Sequence, residues 1–153
     1  HETNIDIDDY KKIVQLIDDS KVCIGAVATK MDFDQTYRYS QASGDRMPIH
    51  IDEDFAKSVG LGGIIIHGLC TMANASSVII ALHCDGDPTR LARMSLRFAN
   101  PLRPGDELET ALFRPSDQKK MELSAGGFAH YFRTIRTSDN LDILSNGLTY
   151  IRE

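Results

Sequence analysis

Residues 61–84 contain no Asp, Glu, Lys or Arg. Within that run, residues 68–83 hold no proline, and most positions are apolar or small. Sixteen helical residues would span about 24 Å at 1.5 Å per residue. Such a helix is apolar on nearly all sides and has no face to offer water, so other elements must wrap it. Gly62, Gly63, His67, Gly68, Thr71, Asn74, Ser76, Ser77 and His83 interrupt the run. A membrane span needs about 20 mostly apolar residues, so the expectation is a buried core helix and no membrane.

The wrapping must come from the rest of the chain. Residues 8–19 carry Tyr10, Ile13, Val14 and Ile17 at helical spacing, capped by Asp8 or Asp9. They read as an N-terminal extension over residues 1–20. Residues 22–29 are apolar and partly β-branched, as in a strand. Short helices are expected at 34–42, capped by Asp34 and stopped at Ser43-Gly44, and at 52–58, capped by Asp52. Between them Pro48 disfavours helix at Met47, so 45–50 should be extended or turn-like. After Asp85-Gly86-Asp87-Pro88 the pattern alternates. Strands are expected at 91–98 and 108–114, then in a third region over 119–124 and 130–137, and at 143–151. One long helix followed by consecutive strands gives an α+β domain. A curved antiparallel sheet of about five or six strands around the helix satisfies the burial requirement.

Composition narrows the partners. The chain has 153 residues, enough for one domain with a single core. Its net charge is −5, with Lys and Arg scattered, which argues against a nucleic-acid surface. Cys23, Cys70 and Cys84 have no metal spacing and are odd in number. They read as free thiols in a reducing cytoplasm. The first twenty residues are rich in Asp and lack the apolar core of a signal peptide. The chain begins at His1 and not Met, so its first residues can derive from a cut in a longer chain.

Two titratable residues, Asp45 and His50, lie five positions apart across Pro48. Asp45 after Gly44 also fits a turn or cap residue, and His50 alone fits a structural histidine. His67 precedes the long helix and reads as structural. Ser76, on a helix of small residues, fits packing as well as function. Arg93, Arg97 and Arg103 could meet phosphates, or simply solvate a strand face.

Three blocks taken together are more specific: S-G-D-R-M-P-I-H, then I-I-I-H-G-L-C-T, then L-R-F-A-N-P-L-R-P-G-D. In this order and spacing they resemble the MaoC-like, or hydratase 2, branch of the hot dog fold. The wording is similar to the catalytic half of the (R)-specific 2-enoyl-CoA hydratases, from about residue 33 to the C-terminus. The resemblance implies a helix wrapped by an antiparallel sheet, with residues 21–153 as a single hot dog domain. It also implies pairing of two such units, as a homodimer, as a higher homo-oligomer or within a longer chain. It places the family's catalytic Asp on Asp45, its catalytic His on His50 and its oxyanion-hole N–H on Gly68. A helix position associated with that hole falls on Ser76. The family's Asn before the proline is replaced by Met47.

The activity so implied is hydration of a trans-2-enoyl-CoA to the (R)-3-hydroxyacyl-CoA, or the reverse dehydration. A carboxylate and an imidazole gripping one water can move both protons. N–H groups at a helix N-terminus can take the charge developing on the thioester oxygen. No metal or redox cofactor is implied; coenzyme A enters as part of the substrate. Met47 motivates an alternative, a non-catalytic acyl-CoA binder or scaffold subunit. A hot dog thioesterase would need a different arrangement of acid and nucleophile.

Overall fold

The computed structural model describes residues 21–115 and 127–152. The expected helix at 8–19 and the 119–124 part of the third strand region lie outside the described residues. Five strands are formed: β1 at Lys21–Lys30, β2 at Leu91–Phe98, β3 at Glu107–Pro115, β4 at Phe128–Arg136 and β5 at Leu141–Ile151. They make one antiparallel sheet in the order β1-β3-β4-β5-β2. Three helices precede β2: α1 at Gln35–Ser43, α2 at Glu53–Ser58 and α3 at Gly68–His83. α3 has the bounds its sequence predicts.

The strand pattern follows burial. Leu108, Thr110 and Leu112 on β3 are buried at period two. Thr110 and Thr134 face each other across β3 and β4, and their hydroxyls bond at 2.9 Å. Two polar atoms thus satisfy each other inside the core. β5 departs from the simple pleat twice. Phe132 pairs with Gly147 and Thr134 with Leu144, so three steps on β5 oppose two on β4. Thr134 pairs with Leu144 and Ile135 with Asp142, so Ile143 is extra. Asn146, in the first irregularity, has φ 51°. Such bulges bend a strand and increase its twist, which curls the sheet around the helix. At Gly147 a Cβ would lie 2.4 Å from the Phe132 carbonyl oxygen, so only glycine fits.

The sheet cradles α3 along Cys70, Thr71, Ala75, Val78 and Ile79. Toward the helix C-terminus, Ala75 and Ile79 pack with Leu112, Phe132, Leu144 and Ile151. Toward its N-terminus, Cys70 packs with Met31, Ile66, Leu102, Leu108 and Ile143. The sheet wraps the helix as expected and leaves one strip of it outside. Leu69, Ala73, Ser77 and Ala81, spaced by four, form an exposed stripe, with Leu69 62% exposed. One sheet covers one face of a helix, and the residues left outside are small apart from Leu69 and, beside the stripe, Leu82. Among the described residues no helix is long and apolar enough to cross a membrane.

Local signals place the short helices. Gly44, at φ 79°, ends α1 and donates its N–H to the Ser40 carbonyl at 3.0 Å. Asp34 does not cap α1 with its side chain, because its carboxylate pairs with Arg38 at 3.2 Å. Asp52 does cap α2, accepting from the Phe55 N–H at 2.9 Å. Residues Pro48–His50 form a single 3-10 turn, a tighter form of the turn expected there.

Two predictions follow from burial. Cys23 is exposed, whereas Cys70 and Cys84 are buried, and burial pushes both buried thiols up. Iodoacetamide at pH 8 should label one thiol per chain quickly and the other two at least ~100-fold more slowly. Equal labelling of all three, read by mass spectrometry, would contradict the packing. On β4, His130 stacks on His83 with ring centroids 5.9 Å apart. Burial, then the neighbouring His83 and Arg114 charges, push His130 down from 6.5 to about 4. Between those values the unfolded chain binds a proton that the folded chain refuses, so stability rises with pH. The contribution is complete above pH 6.5 and is lost as pH falls toward 4. After solvent screening it amounts to about 1–2 kcal/mol. Urea titrations at several pH values should show this slope, and His130→Gln should reduce it, leaving the smaller part due to His67 and His83, which burial also pushes down.

Candidate active site

The site is built where three main-chain segments are tied together. Ile65 donates its N–H to the Ile49 carbonyl at 3.1 Å. Ile66 donates to the Leu102 carbonyl at 2.7 Å. Further back, Ile64 donates to a Glu53 carboxylate oxygen at 3.0 Å, and Arg103 donates to the Leu61 carbonyl at 2.6 Å. The segment entering α3 is therefore held from both sides. Arg103 is engaged there, while Arg93 and Arg97 stand exposed on β2.

His50 is buried in the 3-10 turn. Its Nδ1 donates to the Ile65 carbonyl at 2.8 Å. A carbonyl only accepts, so Nδ1 carries the proton of the neutral ring and Nε2 is left bare. Asp45 is exposed just beyond Gly44. One of its carboxylate oxygens accepts the Met47 N–H at 3.2 Å, which orients the group. The carbonyl of Asp45 accepts from His67 Nε2 at 3.1 Å. One polar atom from each of Asp45, His50 and His67 lies within 4.8 Å of the others. Sequence reasoning joined Asp45 with His50. It reads His67 as structural, and the structure packs that ring against His50 and bonds it to the Asp45 carbonyl.

His67 is 2% exposed and stacks on His50, with ring centroids 3.7 Å apart and planes at 22°. Burial pushes it down, and the neighbouring His50 adds to this; the bond to Asp45 and the Asp45 charge act in opposition. The stacking also bears on metal binding. A shared ion must lie in the plane of each ligating ring at about 2.0–2.1 Å. Two rings stacked at 3.7 Å do not share such a point.

Gly68 opens α3, and the side chain of His67 just before it does not cap the helix. The N–H groups of a first helical turn have no intrahelical partner, and the helix dipole favours negative charge there. Gly68 and His50 line a cavity of about 320 Å³. Its wall includes Ile65, Ile66, Phe98, Leu102, Ile143 and Leu144. A Cβ on residue 68 would lie 3.1 Å from the Phe98 ring, so glycine lets that ring cross the helix start. The structure does not bring Ser76 to this group. It stands eight residues, about 12 Å, along the helix, and its hydroxyl bonds the Ala73 carbonyl at 2.8 Å. The arrangement offers a carboxylate and an imidazole within 4.8 Å of each other, with the imidazole and the start of α3 lining an apolar hollow. It can hold a water beside an electrophile and stabilise an oxyanion.

Comparison with known proteins agrees with this architecture. The model of the MaoC like domain matches residues 21–126, over half of the chain. A probable enoyl-CoA hydratase 2 of Dictyostelium discoideum is 40% identical over 81 residues, covering 53% of this chain and 28% of that protein. The chain thus spans under a third of that relative's length. A solved MaoC-like dehydratase from Phytophthora capsici superposes with TM-score 0.73 at 27% identity, over 86% of this chain and 40% of that one. The R-hydratase PhaJ1 of Pseudomonas aeruginosa, at 19% identity, shares the fold with TM-score 0.68, over 87% of this chain and 79% of that one. The fold is the hot dog.

Proposed function

The chain belongs to the family of MaoC-like domains, and on that premise we propose that it adds water reversibly to trans-2-enoyl-CoA thioesters, giving (R)-3-hydroxyacyl-CoA. The observation that carries this reading is the meeting of Asp45 and His50 at the start of α3, beside an apolar cavity. The names of the relatives, enoyl-CoA hydratase 2 among them, support the reaction class. Coenzyme A enters only as part of the substrate, and the reading calls for no metal or redox cofactor.

In this reading the Asp45 carboxylate and His50 Nε2 hold one water between them. The water loses a proton as its oxygen bonds C3 of the enoyl group. Electrons shift through C2 toward the thioester carbonyl, whose oxygen becomes negative. The Gly68 N–H donates to that oxygen, where the helix dipole also acts. The shuttled proton then reaches C2, and the thioester carbonyl is restored. Atoms balance: one water is added across one double bond. Met47 is compatible with this, because its main-chain N–H orients the Asp45 carboxylate. Ser76 is given no part in the oxyanion hole.

Residues 21–153 are taken as one hot dog domain and 1–20 as an extension, since both β1 and the family match begin at residue 21. Three free thiols support a cytoplasmic setting. The unit is expected to pair as a homodimer or a higher homo-oligomer. Among the described residues β1 and β2 have open sheet edges, and α3 has an exposed stripe. Sedimentation at micromolar concentration should give at least twice the single-chain mass of 17.0 kDa. A single-chain mass would remove the pairing.

Turnover tests the chemistry. Loss of the enoyl-thioester absorbance, with chiral analysis of the product, should reveal the (R) alcohol. Asp45→Asn and His50→Ala should each lower kcat by at least about 100-fold, or ~2.7 kcal/mol. Groups that grip one water act as a unit, so the double variant should be little worse than the poorer single one. Folded variants turning over within a few-fold of the parent would reject the assignment.

A further inference from the structure

His67 touches every part of the site without facing the cavity. Its Nε2 bonds the Asp45 carbonyl at 3.1 Å and the Ser40 hydroxyl at 3.3 Å. One face of its ring meets His50, and Tyr39 lies tilted against it at 4.8 Å. Its main chain leads directly into Gly68, and its carbonyl accepts the Thr71 N–H at 3.1 Å. We propose that His67 is the positioning residue of the site, locking the Asp45 main chain and the His50 ring in register with the Gly68 N–H. This rests on the hydratase reading above.

The hydrogen bonds assign its state. The Asp45 carbonyl can only accept, so Nε2 carries the proton, and the Ser40 oxygen shares it as a second acceptor. Nδ1 is then bare when the ring is neutral. It is buried and has no partner among the described residues. A residue that served packing alone would not need this donor, and an apolar ring would fill the space without leaving a bare nitrogen. The donor is spent on one of the two proton-handling residues, and the ring face on the other.

Neutrality matters as much as placement. His50 must accept a proton during turnover, and a cation stacked at 3.7 Å would oppose that. Burial, the same feature that fixes the ring, also resists its protonation. Stacking adds a mechanical constraint. His50 is tethered by Nδ1 to Ile65, and His67 blocks rotation of the ring away from that bond. A displacement of about 1 Å at a reacting group can cost on the order of 100-fold in rate.

The test separates donor from volume. His67→Phe keeps a ring against His50 but cannot donate to Asp45. His67→Gln keeps a donor near the Nε2 position. Steady-state hydration of an enoyl-CoA by folded His67→Phe should show kcat lowered about 100-fold, with KM within about 3-fold of the parent. His67→Gln should recover kcat to within about 10-fold. A folded His67→Phe with parental kcat, or a loss confined to KM, overturns the proposal. So does His67→Gln no better than His67→Phe. Nitrogen-15 NMR of the parent protein provides a measurement that needs neither variant nor turnover. The His67 ring should be neutral at pH 7 with its proton on Nε2; an Nδ1–H ring or a charged ring overturns the proposal. A parent that hydrates no enoyl thioester sinks the hydratase reading alone. In that case the ring state, and the movement of the Asp45 and Met47 amide signals in His67→Phe, still decide whether His67 holds that segment.

Discussion

The N–H of Ile65 reaches Ile49, and the N–H of the next residue reaches Leu102 on the other side. Most of the site depends on this pair of bonds. An apolar helix buried against a sheet needs an entrance that satisfies its own main chain, since a buried unpaired N–H or C=O costs as much as a lost hydrogen bond. Here the entrance strip borrows partners from the turn before it and from the loop after β2. The turn carries His50, and the loop residues Asn100, Pro101 and Leu102 line the cavity. The bonds that make the helix entrance affordable are therefore the bonds that assemble the site. His50 extends the pattern with its side chain, donating to the carbonyl of Ile65.

Much of the frame was legible in the residues, for identifiable reasons. α3 and β2 begin and end where the charge-free run and the alternation predict, because long periodic segments carry many independent signals. Gly44 stopped α1 as expected, since few residues other than glycine tolerate φ 79° there. Asp52 capped α2, but Asp34 did not cap α1, because Arg38 one turn later offers its carboxylate a stronger partner. Local spacing suggests a cap; it does not say which of two available donors wins.

The site was legible only in part. Asp45 and His50 stand in one short block, and the structure brings them together. His67 belongs to another block, and its role depends on which ring face meets which, a quantity no spacing encodes. Ser76 failed to reach the group because eight residues of helix carry it away. Phe98, Ile143 and Leu144 reach the cavity through sheet register, and register is set by pairing and not by composition.

The two irregularities of β5 reach further than its own bend. Consecutive residues of a strand normally point to opposite faces. Ile143 and Leu144 are neighbours in sequence, yet both are buried and both line the cavity, because Ile143 is the supernumerary residue opposite β4. One extra residue would invert every side chain beyond it. The strand contains two between Leu141 and Gly147, and in a period of two a pair of insertions cancels. The alternation on either side therefore stays in phase with β4, while the stretch between meets β4 only where Leu144 pairs with Thr134. Side chains in that stretch set the depth of the hollow, and exchanging one for another leaves the residue count, and so the phase at either end, unchanged. The number of residues there is not free in the same way: losing one would put half the strand out of phase, whereas losing both would return an ordinary, flatter strand.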